Sequence, residues 1–110
     1  MITSEQFAAL QMRVGRIVRA EDFPRARKPA YKLWIDFGQP LGIKQSSAQL
    51  TDRYVPAALV GRLVIAVVNL PPKQIADFVS EVLVLGVPDE QGAVVLLRPD
   101  VEVPLGGRVF

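Results

Sequence analysis

The 110-residue sequence contains no cysteine and no histidine. The lack of cysteine excludes disulfides, thiolate metal ligands and thiol nucleophiles. The lack of histidine removes the side chain most used as a general base near neutral pH and a frequent ligand of zinc. The carboxylates do not cluster as metal ligands would, and the scattered glycines match neither a P-loop nor a dinucleotide-binding pattern. These absences predict no metal ion and no cofactor, and they weigh against an enzyme.

Long apolar runs are also missing, although 50% of the residues are hydrophobic. The longest runs, LVIAVV and VLVL, are far shorter than the roughly 20 residues that a membrane-spanning helix requires. Residues 1–12 lack the layout of a secretion signal. We therefore expect a soluble, cytoplasmic protein without membrane insertion. The length and the apolar content suit a single domain over residues 1–110 with one compact core.

The net charge is only +2, but it is distributed unevenly. Residues 1–62 carry ten Lys/Arg against five Asp/Glu, whereas residues 63–110 carry three against six, so the two parts have net charges of +5 and −3. A basic half suggests contact with an anionic partner. The alternative is a block of solvated surface charge.

The basic residues of the first half cluster near an aromatic side chain. Arg25, Arg27, Lys28 and Lys32 surround two prolines, and Trp34 lies on the same face of a predicted strand as Lys32. Cations beside an aromatic ring offer a platform for nucleobases or for peptide side chains. The alternative is that Trp34 packs under a loop or against a second subunit.

Short strands separated by glycine and proline turns dominate the rest of the pattern. Thr3 and Gln6 have the spacing of a capping box, which predicts a helix over residues 4–10. Gly15 predicts a bulge or a sharp bend inside the first strand. Candidate strands cover residues 13–20, 31–37, 43–46, 62–70, 81–85 and 94–97.

The clearest of these strands is YKLWIDF, where strict alternation assigns one face to the core. That face carries Tyr31, Leu33, Ile35 and Phe37. The strands in the second half are apolar on both faces, so both faces should be covered. With no long helical period, the pattern predicts a small all-β barrel or sandwich.

The segment IKQSSAQL, residues 43–50, is unusually polar at its centre. Ser46 and Ser47 lie close to Lys44, which raises the possibility of a Ser-Lys catalytic pair. No histidine is available to activate these serines, and the G-x-S-x-G elbow of hydrolases is missing. The other interpretations are the wall of a ligand groove and serines that simply end a strand.

The run VVNLPPKQIADFVSEVLVLG, residues 67–86, resembles the core of the tRNA-binding domain in methionyl-tRNA synthetase appendices and in endothelial-monocyte-activating polypeptide. The matching residues are Asn69, Leu70, Pro72, Lys73, Ile75, Ser80 and Glu81. A fuller resemblance is to the CsaA family of export-related chaperones. It runs through RVGRIVRAEDFPRARKPAYKL, IDFG, GIKQSSAQLT, VIAVVNLPP and SEVLVLG, and spans nearly the whole chain.

This resemblance implies an all-β, five-stranded oligonucleotide-binding (OB) Greek-key barrel with a short N-terminal helix, in a homodimer without catalytic activity. The implied function is that of a chaperone for unfolded or pre-secretory polypeptides, with the protein-export motor as a candidate partner. The alternative is a module that binds tRNA through its shape. Surplus apolar surface on the strands also favours a dimer. The amino-terminal helix and residues 101–110 are the candidate interface.

On the same resemblance, IKQSSAQL forms one wall of a ligand groove, where serine and glutamine offer donors and acceptors to a peptide backbone or a ribose-phosphate. Ser46 should face the opposite way along the strand. Asp77 stands where relatives commonly have glycine, so we expect an altered loop conformation and weaker attraction for phosphates. The expected peptide- or RNA-binding residues are Lys32, Trp34, Lys44, Gln45, Ser47, Asn69, Lys73 and Ser80.

Overall fold

The computed structural model describes residues 1–110 of the chain, which form two short helices and nine strands. Neither helix is long enough or apolar enough to span a membrane. The elements are α1 (Ser4–Ala9), β1 (Met12–Asp22), β2 (Tyr31–Asp36), β3 (Ile43–Ala48), α2 (Pro56–Leu59), β4 (Leu63–Val67), β5 (Lys73–Ile75), β6 (Phe78–Ser80), β7 (Leu83–Val84), β8 (Gly86–Pro88) and β9 (Val94–Leu96).

Five strands form one antiparallel sheet in the order β3-β2-β1-β4-β7. The outer strand β3 meets the segment that leads into the other outer strand, β7, at a barrel seam formed by residues 45–47 and 80–82. Here the backbone N–H of Glu81 donates to the carbonyl oxygen of Gln45 over 2.8 Å. Ser46 Oγ donates to the carbonyl oxygen of Val82 over 3.0 Å. The sheet is therefore a nearly closed barrel, and with α1 it confirms the predicted OB-like fold.

The barrel core follows from the alternation in β2. Tyr31, Leu33 and Ile35 are buried, whereas the intervening Lys32 and Trp34 are only half-buried. The inward side chains join a cluster of 11 buried residues drawn from most of the barrel strands. Burial of one Leu or Ile side chain contributes about 1.5–3 kcal/mol to folding. The core face predicted from the sequence is confirmed.

The apolar strands of the second half are covered less completely than expected. β4 is buried on both faces, as predicted. Leu83 of β7 is nevertheless 51% exposed, and Leu97 just after β9 is 37% exposed. β7 has two residues and lies at the end of the sheet order, so fewer neighbours cover it. The expectation that both faces are covered is wrong for these residues.

Gly15 has a different role from the predicted bulge. The register shift in β1 lies at Val18, between Ile17 and Arg19, so the predicted position is wrong by three residues. A Cβ atom at Gly15 would lie 2.5 Å from Ile35 Cγ2 and 2.7 Å from Phe37 Cε1. The glycine is therefore required because β2 side chains pack directly against the β1 backbone.

The helix α1 forms as the capping box predicts. The backbone N–H of Gln6 donates to Thr3 Oγ1 over 3.1 Å, and the backbone N–H of Thr3 donates to Gln6 Oε1 over 2.8 Å. No residue of this helix is buried. Asn69 holds its end instead, because Asn69 Nδ2 donates to the carbonyl oxygen of Ala9 over 2.7 Å. The capping box and the long-range bond from Asn69 therefore position α1 without burial, and its apolar side chains remain exposed.

The close approach at Gly15 predicts that Gly15→Ala lowers the free energy of unfolding by about 1–3 kcal/mol, the usual cost of overpacking a core. Urea denaturation followed by circular dichroism would measure it. Gly107→Ala is the matched control, since its new Cβ atom would meet Pro104 O at an ordinary 3.6 Å. Equal stability of both variants would contradict the proposed reason for the glycine.

Candidate functional site

A second, smaller cluster covers the outer face of β2. Phe23, Ala30 and Phe78 are buried together, with Trp34 and Ile75 packed against them. Phe78 belongs to the β5–β6 hairpin, which folds over the sheet, and Phe23 follows β1. The outer face of β2 is therefore covered by an aromatic layer at this point and does not form an open groove.

Trp34 and Lys32 both take part in this layer. The Trp34 ring packs edge-on against Phe78 with centroids 5.8 Å apart, and Arg19 Cζ lies 4.5 Å from the centroid of the Trp34 ring. Lys32 Nζ lies 4.9 Å from the Phe23 centroid and 5.4 Å from that of Phe78. Both side chains remain half-buried. Trp34 thus packs under the hairpin with part of its ring still accessible at the cluster edge.

An open cavity of about 610 Å³ lies beside this layer, between the loop after β1 and the strand β5. We call it the basic groove. Its cationic residues are Arg25, Arg27, Lys28 and Lys73, and its remaining lining residues are Ala26, Ala30, Ser47, Gln49, Gln74, Ile75 and Ala76. Ser47 and Lys73 are thus the two predicted contact residues that line it.

The groove carries more positive charge than the fold neutralises. Arg25 Nη1 lies 2.9 Å from Asp77 Oδ2 in an exposed ion pair. Arg27, Lys28 and Lys73 form no ion pair within 4.0 Å. Three unpaired cations around one concave surface give it a positive potential and attract anionic groups.

Gln45 and Ser80 stabilise the groove wall. Gln45 Nε2 donates to the carbonyl oxygen of Val79 over 2.9 Å, and Ser80 Oγ accepts from the backbone N–H of Ser47 over 3.0 Å. Glu81 Oε1 accepts from the backbone N–H of Gln45 over 3.0 Å. These side chains join β3 to the hairpin, and they hold Ser47 in place at the groove.

The structure does not bring Lys44 and Asn69 to the basic groove. Lys44 pairs with Ile35 and shares the strand face of Ser46, opposite to Gln45 and Ser47. Asn69 bonds to the chain just before β1 begins, whereas the groove loop follows the end of β1. About ten residues of extended strand, roughly 30 Å, separate these two ends.

Ser46 faces away from the groove, as alternation predicts. Its side chain has no exposed surface, and Oγ donates its proton to the seam carbonyl of Val82. A substrate cannot reach this hydroxyl. A catalytic pair of Ser46 with Lys44 is therefore excluded, and Ser46 instead closes the barrel.

The turn that carries Asp77 is built differently from the expectation for a lost glycine. The residue with left-handed backbone geometry is Ala76, with φ 52°, and Asp77 has no positive φ. Gln74 Nε2 donates to the carbonyl oxygen of Ala76 over 2.8 Å. The conformation of the turn therefore depends on Ala76, while Asp77 contributes charge.

A carboxyl group with a lowered pKa, that of Asp89, lies away from the groove in the turn between β8 and β9. The Arg53 guanidinium donates to Asp89 Oδ2 over 2.7 Å and holds the pKa of Asp89 below its ordinary value, and it outweighs the opposing effect of burial. The backbone N–H groups of Ala93 and Gln91 act in the same direction as Arg53. This stabilisation is present above the ordinary carboxyl pKa and is lost as pH falls through the lowered value.

Several residues of the groove were not among the predicted contacts. Gln49 and Gln74 line it, and their amides give no signal that separates them from other surface glutamines. Arg25, Arg27 and Lys28 were visible as a sequence cluster, but the pattern could not indicate that β5 faces them.

Comparison with known proteins agrees with this fold over almost the whole chain. Residues 12–108 match the family described as "Putative tRNA binding domain". The chaperone CsaA of Bacillus anthracis str. Ames is 53% identical with a TM-score of 0.93, and the match covers 100% of this chain and 99% of that one. The CsaA chaperone protein of Picrophilus torridus is 51% identical with a TM-score of 0.93, and the match covers 100% of both chains.

A larger protein shares the same domain. The methionine–tRNA ligase of Thermococcus kodakarensis is 35% identical over 108 residues, which are 98% of this chain but only 14% of the ligase. The chain thus spans a small part of the ligases it matches. The family suggested by residues 67–86 and by the longer segments is confirmed. The chain belongs to the tRNA-binding-domain family, and over its full length it is similar to CsaA chaperones.

Proposed function

We propose that the protein is a non-enzymatic chaperone that holds unfolded polypeptides in the basic groove. The observation that carries this proposal is the full-length similarity to CsaA chaperones, at 53% identity over 100% of this chain. The ligases match over one small part of their length. Pre-secretory polypeptides are the proposed clients, and the export motor is the proposed partner.

The groove suits an extended polypeptide. Ser47, Gln49 and Gln74 offer hydrogen-bond donors and acceptors to a peptide backbone without filling the cavity. The accessible edge of Trp34 offers an apolar contact beside them. The surrounding cations favour segments that carry acidic side chains. Binding of this kind requires no nucleophile or general base.

A second candidate function is binding of tRNA. The observation that favours it is the set of unpaired cations in the groove, Arg27, Lys28 and Lys73, together with the family that residues 12–108 match. Phosphate oxygens would pair with these cations and release counterions. Both functions use the same surface, so the two ligands should compete.

The proposed functional unit is a homodimer. Ile2, Phe7 and Leu10 are 69%, 38% and 37% exposed, and Val101 and Phe110 are 66% and 107% exposed. The amino-terminal helix meets the carboxy-terminal segment, because Arg108 donates a hydrogen bond to the carbonyl oxygen of Ala8. The two exposed apolar segments therefore lie side by side. A second copy would bury both of them across a two-fold axis.

The dimer predicts a solution mass of about twice the chain mass of 12.1 kDa. Light scattering at micromolar concentration would measure it. Phe7→Asp should shift the mass towards the monomer, because a carboxylate would then lie in the apolar interface. Val60→Asp is the control, since Val60 is similarly exposed at the end of α2. A monomeric mass for the unchanged protein would contradict the proposal.

The chaperone function predicts that unfolded polypeptide binds with little dependence on salt, whereas tRNA binding depends on it strongly. Up to four phosphate contacts per groove would weaken tRNA binding about 50–150-fold between about 50 and about 200 mM salt. Backbone and apolar contacts should weaken far less. Fluorescence anisotropy with a denatured client and with tRNA would measure both. Tight tRNA binding at physiological salt, without competition from the client, would favour the second function instead.

A pair of lysine variants tests whether the groove is the binding surface. Lys73→Gln should weaken tRNA binding and reduce the slope of log affinity against log salt by roughly 0.7–0.9, because one phosphate contact is lost. Lys44→Gln removes the same charge from the face of β3 that points away from the groove, so it should leave the slope unchanged. An equal effect of both substitutions in the same titrations would show that net charge, and not the groove, governs binding.

A further inference from the structure

The Arg25–Asp77 ion pair links the two sides of the basic groove. Arg25 belongs to the loop between β1 and β2, and Asp77 lies in the turn between β5 and β6. Arg25 Nη1 and Asp77 Oδ2 are 2.9 Å apart, and the side chains are 68% and 56% exposed. Both groups thus face solvent at the groove, where a ligand could reach either one.

The backbone on either side of Asp77 is held in place by its neighbours. Phe78, the next residue, is buried against Phe23 and Trp34. Gln74 hydrogen-bonds to the carbonyl oxygen of Ala76 and supports the turn from the other side. The backbone at position 77 is therefore held within reach of Arg25, although the ion pair itself is exposed.

The geometry points to Asp77 as a residue that determines the specificity of the groove. We propose that its carboxylate binds the Arg25 guanidinium in the place where a nucleic-acid phosphate would bind. The groove would therefore bind polyanions less well than polypeptide segments. This inference deepens the proposed function, because it concerns the same groove. Of the four groove cations, only Arg25 forms an ion pair within the protein. Its availability to a ligand therefore depends on another residue, Asp77.

The expected size of the effect follows from the exposure of the pair. Exposed ion pairs are weak, and breaking one changes an equilibrium by about fivefold at most. A polyanion must displace Asp77 from Arg25 and must also approach the carboxylate that remains. A peptide backbone in the groove requires neither step. Salt screens both effects, so they should fade as ionic strength rises.

The test is a double-mutant cycle with a single-stranded oligouridylate of about ten nucleotides as the polyanion probe. Asp77→Asn should raise the affinity about fivefold at about 50 mM salt and steepen the salt dependence by roughly 0.7–0.9. The gain should be small at about 200 mM salt. In the Arg25→Gln background, Asp77→Asn should raise the affinity less than about twofold, because Arg25 is no longer there to be freed.

Two controls separate this mechanism from a general change of charge or fold. Glu90→Gln removes an exposed carboxylate outside the groove and should raise the affinity less than Asp77→Asn does. Thermal unfolding should give similar midpoints for all variants, since the exposed pair contributes little to stability. A denatured polypeptide should bind the wild type and Asp77→Asn equally.

Four results would overturn the inference. Two are an unchanged affinity in Asp77→Asn and an equally large gain in the Arg25→Gln background. The others are an equal gain in Glu90→Gln and no oligouridylate binding by either the wild type or Asp77→Asn. Failure of the chaperone proposal would instead appear as absent polypeptide binding by the wild type. The oligouridylate cycle would remain interpretable in that case.

Discussion

The hydrogen bonds across the barrel seam are the constraint on which the rest of this structure depends. The seam strands, β3 and β7, do not share a regular ladder, so side chains supply part of the pairing. Ser46 reaches Val82 from the inside, and Glu81 reaches the backbone N–H of Gln45 from the hairpin side. A small polar residue is favoured at position 46, because an apolar side chain there would leave the Val82 carbonyl with only the longer 3.5 Å bond from Ser80 Oγ. This explains why a barrel strand contains Gln-Ser-Ser.

The seam also positions the surface on the other side of β3. The β5–β6 hairpin ends at Ser80, so the bonds from Gln45 and Ser80 fix the hairpin against the sheet. Once fixed, the hairpin places Phe78 over Trp34 and Lys73 opposite the loop after β1. The basic groove is therefore a consequence of how the barrel closes. One strand serves both purposes because successive side chains point to opposite faces.

The features predictable from the sequence were those determined by local periodicity. Alternation in residues 31–37 identified the core face, and the Thr3–Gln6 spacing located α1. Gly15 was singled out correctly but explained wrongly, because its role depends on contacts with Ile35 and Phe37, which lie 20 or more residues away in sequence.

The candidate site was less predictable for the same reason. Ser47 and Lys73 line the groove. Lys44 instead lies on the other face of β3, and Asn69 holds the amino-terminal helix. The face of Lys44 was predictable from the sequence, since residues two apart on a strand share a face and Ser46 was expected to point away from the groove. The packing of Phe78 over Trp34 was not predictable, because the hairpin that carries Phe78 begins about 40 residues later in the chain.

Ion pairs within the fold partly balance the uneven charge of the sequence. Three of the four ion pairs join a cation from residues 1–62 to a carboxylate from residues 63–110: Arg16–Glu102, Arg25–Asp77 and Arg53–Asp89. The basic half therefore does not form a uniformly basic face, and most of its excess is matched by the acidic half. The positive potential of the groove comes from Arg27, Lys28 and Lys73, which have no such partner. Because only four cations line the groove, one carboxylate beside them is a large fraction of the local charge, which is why we propose that Asp77 affects which ligands the groove accepts.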